Sequence, residues 1–260
     1  MYAKLVTTVF KKNTTYRLTL LFRILTTIIS VLATRQVWSI LYRDGSNAGG
    51  FTLSTMLTYV TIAMILQAFY SSSIAFEISS KIQTGGIVQD FQRPWSFQAA
   101  MFAYSFGSVL AGIVSVVLPI LIVTLVLFPI DVPSNPLAIL YFFVSILLGL
   151  IINFCIQFLI GMLSFIFVEV WGFEIIVGLT VSLLSGQLIP LAFFPEGLSN
   201  VVNYLPFRGL YSIPISIYTE TIVGSIWNEL LYQGIWALGL WLLISLTLKY
   251  FQRVLTVAGG

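Results

Sequence analysis

Along the chain, long apolar runs alternate with short breaks that hold charges, proline or glycine. The runs occupy approximately residues 24–42, 54–76, 98–128, 138–168, 173–194 and 229–248. A helix needs about 20 mainly apolar residues to cross the hydrocarbon core, so the pattern predicts six transmembrane helices. The third and fourth runs are long enough to tilt or to project beyond the bilayer. Backbone polar groups in lipid must be satisfied internally, which selects helices, and the runs lack the alternation of barrel strands. Before the first run, Tyr2, Leu5, Val6, Val9 and Phe10 share one helical face, while Lys4, Lys11 and Lys12 can reach lipid phosphates. Residues 1–15 are therefore expected to form an interfacial helix along the inner leaflet. A basic stretch before an apolar one also describes a signal peptide. No small-residue cleavage site closes this run, so the segment is expected to be retained.

Two stretches depart from this pattern. In residues 77–94, Ile78, Ile82, Ile87 and Phe91 recur at roughly helical intervals among charges, and Gly85-Gly86 divides the stretch into two pieces. Pro94 ends the second piece, and Ser96 is placed to cap the next helix. A short amphipathic helix held outside the membrane suits docking into a groove on a soluble partner. An ordinary solvated loop fits the composition equally well. The other stretch is 186–228, where Gly186, Pro190 and Pro195 interrupt the fifth run near its outer end. Pro195-Glu196 reads as a helix start, and Leu198, Val201, Val202 and Leu205 form an apolar stripe before Pro206. At about ten residues this helix is too short to cross. A broken apolar segment suits a re-entrant hairpin packed on protein or lining a cavity, or else an interfacial helix capping the bundle. Either forms a lid on the outer face.

Composition narrows the function classes. Charged residues make up 8% of the 260, against roughly 25% in soluble domains, too few to cover the surface of a soluble globule. Histidine is absent, which removes His-based metal sites and both Ser-His-Asp and Cys-His catalysis. Cys155 is the only cysteine, so there is no disulfide framework and no C-x-x-C pair. No nucleophile–base pair or carboxylate dyad falls within the runs, so no catalytic or metal site is expected. The net charge of +3 rests on scattered residues and indicates topology rather than nucleic acid. With the N-terminus inside, Lys4, Lys11, Lys12, Arg17, Arg23, Lys81, Arg93, Lys249 and Arg253 lie inside, against Arg35, Arg43 and Arg208 outside. Both termini are therefore expected in the cytoplasm. There is no G-x-x-x-x-G-K-[ST] loop, so ATP is not expected to bind this chain by that route.

Arg23, Arg35, Glu77, Glu169, Glu174 and Lys249 all fall near predicted span ends. A gradient-driven carrier normally places an ionisable or ion-binding group at mid-depth, so this distribution favours a machine driven from outside the membrane. Few charges in the spans also point to an amphiphilic or apolar cargo. In the fourth span, Gly149, Asn153, Gln157 and Gly161 follow one another at intervals of four and form one stripe. Small residues with polar neighbours usually serve close helix packing; amides between glycines can instead line a path for cargo. Gln67 with Ser71 repeats the arrangement. Gln187, beside Gly186, is the amide expected to face a cavity. Trp38, Tyr42, Trp95, Trp171, Trp227 and Tyr250 lie near predicted membrane boundaries, as aromatic anchors do.

At its two irregular stretches the chain resembles the six-span permease subunits of ABC-2 type exporters. The inner pattern I-x-x-G-x-I-x-x-x-F-x-R-P is met by Ile82, Gly85, Ile87, Phe91, Arg93 and Pro94. The outer pattern is met by Ser185, Gly186, Ile189, Pro190, Leu191, Pro195, Leu205, Pro206, Phe207 and Pro214. The resemblance covers the whole length as a single transmembrane domain. It implies a plasma-membrane permease that pairs with a second permease, the same chain or a related one. It implies two copies of a cytoplasmic ATPase that bind ATP and Mg, with no cofactor on this chain. Carried onto these positions, Glu77, Lys81, Ile82, Gly85, Ile87, Phe91, Arg93 and Pro94 would couple to the ATPase. Gly186, Gln187, Pro190, Pro195, Pro206 and Phe207 would form an outer gate, and Gln67, Asn153 and Gln157 a cargo path.

Overall fold

The computed structural model describes residues 2–15, 17–43, 50–71, 74–127, 130–167, 169–222 and 224–258. Residue 1 of the predicted interfacial helix, residue 223 of the outer stretch, and residues 72–73, 128 and 168 of the predicted spans lie outside that set. The described residues are helical and contain no strand. Helices α1 (Tyr2–Thr14), α2 (Arg17–Leu41), α3 (Leu53–Tyr70), α4 (Ile74–Gln83), α5 (Gly86–Phe91) and α6 (Phe97–Gly112) come first. A π turn at Ile113–Val117 joins α6 to α7 (Leu118–Leu127), and α8 follows at Pro136–Met162. The remainder are α9 (Trp171–Leu184), α10 (Glu196–Val202), α11 (Ser212–Tyr218) and α12 (Ile226–Ala258).

Local chemistry sets the helix starts. The Thr52 hydroxyl accepts from the Thr55 N–H and opens α3, and Ser96 does the same for α6. Asn135 accepts from the Leu137 N–H at 2.9 Å and Pro136 takes the first position of α8, where a missing N–H costs nothing. Pro195 stands one place earlier than expected, as the residue before the first turn of α10.

Among the described residues, five stretches are long and apolar enough to cross a membrane: Leu18–Leu41, Leu53–Gln83, Phe97–Val126, Pro136–Phe165 and Ile226–Arg253. The fifth predicted span, 173–194, is instead the 14-residue α9. Fourteen residues rise about 21 Å, short of a hydrocarbon core of about 30 Å. Gly186, at φ +83°, turns the chain away beyond it.

The stretch 77–94 is packed on the bundle rather than free of it. Helix α4 packs along α8, with Ile74, Ala75 and Ile78 fully buried. Gly161 makes this contact possible: a Cβ there would sit 2.8 Å from Ile78 Cβ and 3.0 Å from the Ala75 carbonyl oxygen. The apolar stripe is thus used within the chain's own core. Helix α1 lies along α6 in the same manner. A Cβ at Gly107 would lie 2.8 Å from the Val6 carbonyl oxygen, and Asn13 donates to Ser108 Oγ at 3.2 Å. The core itself is built around Tyr59, Phe154 and Phe158, all less than 2% exposed.

Candidate functional site: a polar cleft between an elbow and a cap

A cleft of about 510 Å³ opens between α2, α3, α8 and α9. All three candidate cargo-path residues line it: Gln67 from α3 with Asn153 and Gln157 from α8. Gln187 joins them from beyond the break after α9, as does Tyr211. The four-residue stripe divides by role. Gly149 has no room for a side chain, since a Cβ there would overlap Tyr70 Oη. Asn153 donates to the Tyr70 carbonyl at 3.0 Å, satisfying a backbone acceptor at the end of α3. Gly161 is taken up by α4. Gln157 remains directed to the cleft.

Two charged residues that sequence reading placed at span ends also line this cavity. Arg23 contributes from α2, beside Thr26, Thr27 and Ser30. Glu174 contributes from the first turn of α9, with Gly178 and Ser182 at four-residue intervals on the same face. That spacing was the available signal, but it says nothing of what stands across the cavity. Gln157 Oε1 and Glu174 Oε2 are buried without a hydrogen-bond partner among the described residues. The cleft wall is thus made of amides, hydroxyls and charge. Arg35, by contrast, is not in the cleft. It is 7% exposed and donates to Thr61 Oγ1 at 2.8 Å and to the Leu57 carbonyl at 3.2 Å.

At one end of the bundle, α4 and α5 form an elbow around Gly85, whose φ of +72° suits the reversal. Asp90 braces it. Its carboxylate meets Lys81 Nζ at 2.7 Å and Arg93 Nη1 at 3.0 Å, so both pieces and the residues after them are held together. Asp90 was absent from the sequence-derived set, although its position between Lys81 and Arg93 was the clue. Ile87 is buried, and Phe91 packs edge-on against Phe97 at 5.5 Å between ring centroids. Gln83, Thr84, Gly85, Val88, Gln89, Arg93 and Pro94 are exposed, and Arg93 lies over the Trp95 ring.

At the other end, residues 185–218 form a cap tied to three helices. Tyr59 donates to the Gly186 carbonyl at 2.6 Å, and the Ser212 N–H donates to the Ser185 carbonyl at 2.9 Å. Gln233, fully buried on α12, donates to the carbonyls of Gly209 at 2.7 Å and Ser145 at 3.2 Å, and accepts from Ser145 Oγ. Arg208 pairs with Glu229 at 2.9 Å and lies over the Tyr232 ring, whose hydroxyl donates to the Leu205 carbonyl. The candidate gate residues do not converge. Gln187 lines the cleft and Gly186 packs against Tyr59 and Ser212, whereas Pro206 and Phe207 border an apolar groove between α8, α9 and α12. Pro190 is buried and Pro195 is exposed, and neither lines either cavity. The segment ends at Glu220, whose carboxylate accepts from the N–H groups of Asn135 (2.9 Å) and Ser134 (3.2 Å). These two bonds hold its pKa below the ordinary glutamate value.

Residues 24–257 match the family described as ABC-2 family transporter protein. The chain belongs to that family. This ABC-2 permease is accordingly the membrane component of an ABC exporter and not itself an enzyme, and the family works with an ABC ATPase. No curated protein matches the chain. The match spans the elbow, the cap and every residue lining the cleft except Arg23, and it leaves out α1 and the first seven residues of α2.

Proposed function

We propose that this ABC-2 permease pairs with a second permease, identical or related. Two copies of a separate ATPase, which hold ATP and Mg, drive the pair to export an amphiphilic cargo. In this reading the elbow and both termini face the cytoplasm of a cell whose plasma membrane holds the bundle. Helix α9 supplies a sixth crossing together with the chain that follows it, and the cap is re-entrant. The depth of Gly209 supports that last point. It lies against Ile152 and beside Gly149, thirteen residues along α8 and so about 20 Å from its start. Glu220, at the end of the same segment, bonds to Asn135 at the start of α8. A segment that reaches so far along α8 and comes back fits a hairpin.

The observation that carries the reading is the braced elbow. Asp90 fixes its shape, α4 locks it to α8 at Gly161, and its tip is exposed. A rigid projection joined to a long helix is suited to receive force from a soluble motor. Co-purification tests it. Val88→Asp with Gln89→Glu changes two exposed positions outside the Asp90 brace, so the folded permease is expected to lose its ATPase. Phe91 is unsuited to this test because it packs on Phe97. Isolation of the wild-type chain as a lone protein under all conditions would overturn the proposal. Glu174 in the cleft favours a different reading, a gradient-driven carrier. Cargo movement in sealed vesicles on a proton or sodium gradient, without nucleotide, would establish that one instead.

A further inference from the structure

We infer that the cleft binds an amine-bearing zwitterion, with a primary ammonium and a phosphate on one head, which enters from the side of α1. This rests on the permease reading and names the chemical class of its cargo.

The hydrogen-bonding capacity of the walls points to the ammonium. Thr26, Thr27 and Ser30 all donate to carbonyls of their own helix, at 2.9, 2.8 and 2.8 Å. With their protons engaged, these hydroxyls offer the cleft only acceptor lone pairs. Gln157 Oε1 and Glu174 Oε2 add two buried acceptors that lack a geometric partner among the described residues. Buried acceptors left unmatched are costly, and an ammonium is three donors with no acceptor of its own.

Arg23 points to the phosphate. It stands exposed on α2, six residues inside the helix start, and forms no ion pair among the described residues. A guanidinium about 9 Å along a spanning helix calls for an anion, and its planar fork matches phosphate geometry.

A second cavity indicates the route. About 430 Å³ in volume, it lies between α1, α2 and α6 and is lined by Lys12, Asn13, Ser108 and Ser115. It shares Arg23 and Ser71 with the first cleft. A headgroup leaving the interface therefore meets Lys12, then Arg23, and then the acceptors around Glu174. Cation and anion sites follow one another in the order that a zwitterion requires.

The competing idea is that Arg23 and Glu174 pair with each other when the cleft closes. Native mass spectrometry of the purified full-length chain can separate the two. The probes are phosphatidylethanolamine, phosphatidylcholine and phosphatidylglycerol with the same acyl chains. Phosphatidylethanolamine is expected to be retained about tenfold better than phosphatidylcholine, which lacks N–H donors, and than phosphatidylglycerol, which lacks the cation. Glu174→Gln is expected to abolish the preference over phosphatidylglycerol. Arg23→Gln, at an exposed position that folding does not need, is expected to weaken retention of all three about tenfold. Competition by free phosphoethanolamine would identify a soluble zwitterion as the source, and failure to compete a lipid headgroup; either supports the shared chemistry. Equal retention of the three lipids overturns the inference. So does a Glu174→Gln variant that keeps the full preference for phosphatidylethanolamine over phosphatidylglycerol, because the carboxylate would then not hold the ammonium. ATPase capture is read in the same preparation. Normal capture without lipid preference defeats this inference alone, whereas lipid preference without capture defeats the permease reading and leaves the site standing.

Discussion

Gln233 donates to the Gly209 carbonyl at 2.7 Å, and through this amide α12 holds the deepest part of the cap. The same side chain exchanges bonds with Ser145, so three segments meet at one fully buried residue. Gln233→Leu would leave the Gly209 carbonyl without its donor and the Ser145 hydroxyl without its acceptor. A loss of about 1–3 kcal/mol is expected, read as a lower melting temperature of the detergent-solubilised chain. Gln233→Glu is expected to cost more, since it also buries a charge.

The α4–α8 contact depends on the missing side chain of Gly161. Gly161→Val would drive Cγ atoms into Ile78 and the Ala75 carbonyl, which lie 2.8 and 3.0 Å from the point where even a single Cβ would sit. Overpacking of this kind costs about 1–3 kcal/mol. The permease is expected to keep its helical content by circular dichroism but to lose cargo-stimulated ATP hydrolysis in the assembled complex. Unchanged coupling would show that α4 does not transmit force through this contact.

Asp90 holds two cations, and its side chain is only 9% exposed. Asp90→Asn keeps the shape but removes the charge, at a cost of about 1–2 kcal/mol because Lys81 and Arg93 are partly solvated. The expected result is faster amide exchange over residues 84–92 and weaker ATPase capture, with the spans unaffected. Capture equal to wild type would separate the brace from docking.

Glu220 gives a pH dependence with a definite sign. Its folded pKa lies below the ordinary glutamate value of about 4.3, first because of the Asn135 N–H and then the Ser134 N–H. The contribution is therefore complete above that ordinary value and fades as pH falls through the lower folded value. Amides of Ser134 and Asn135 are expected to lose exchange protection on acidification through this window. Glu220→Gln should make their exchange insensitive to pH in that range once the intrinsic rate is corrected.

What the sequence disclosed follows from the range of each interaction. Ser96, Gly85 and Gly186 act within a few residues of themselves, so capping and turn chemistry revealed where elements start and end. The six apolar runs were equally plain, except that a break at Gly186 shortened the fifth to α9. The partner of an apolar face was not legible. Ile78 and Ile82 have the same spacing whether they meet another protein or α8, and the space at Gly161 is visible only once the two helices cross. Long-range polar ties were hidden for the same reason. Gln233 finds Ser145 at a separation of 88 positions and Gly209 at 24. Arg23 and Glu174 each looked like an ordinary end-of-span charge until the fold placed them on one cavity.

Helix α8 touches both working ends of the molecule. Near Gly161 it carries the elbow, and at Asn135 and Ser145 it reaches the cap. The stretch Pro136–Phe165 has 30 residues, so it is a rod about 45 Å long. Pivoted at the elbow, such a lever needs only about 10° of tilt to sweep its far tip through roughly 8 Å. In the proposed cycle, a modest stroke on one side of the bilayer would thereby be geared up into an opening on the other.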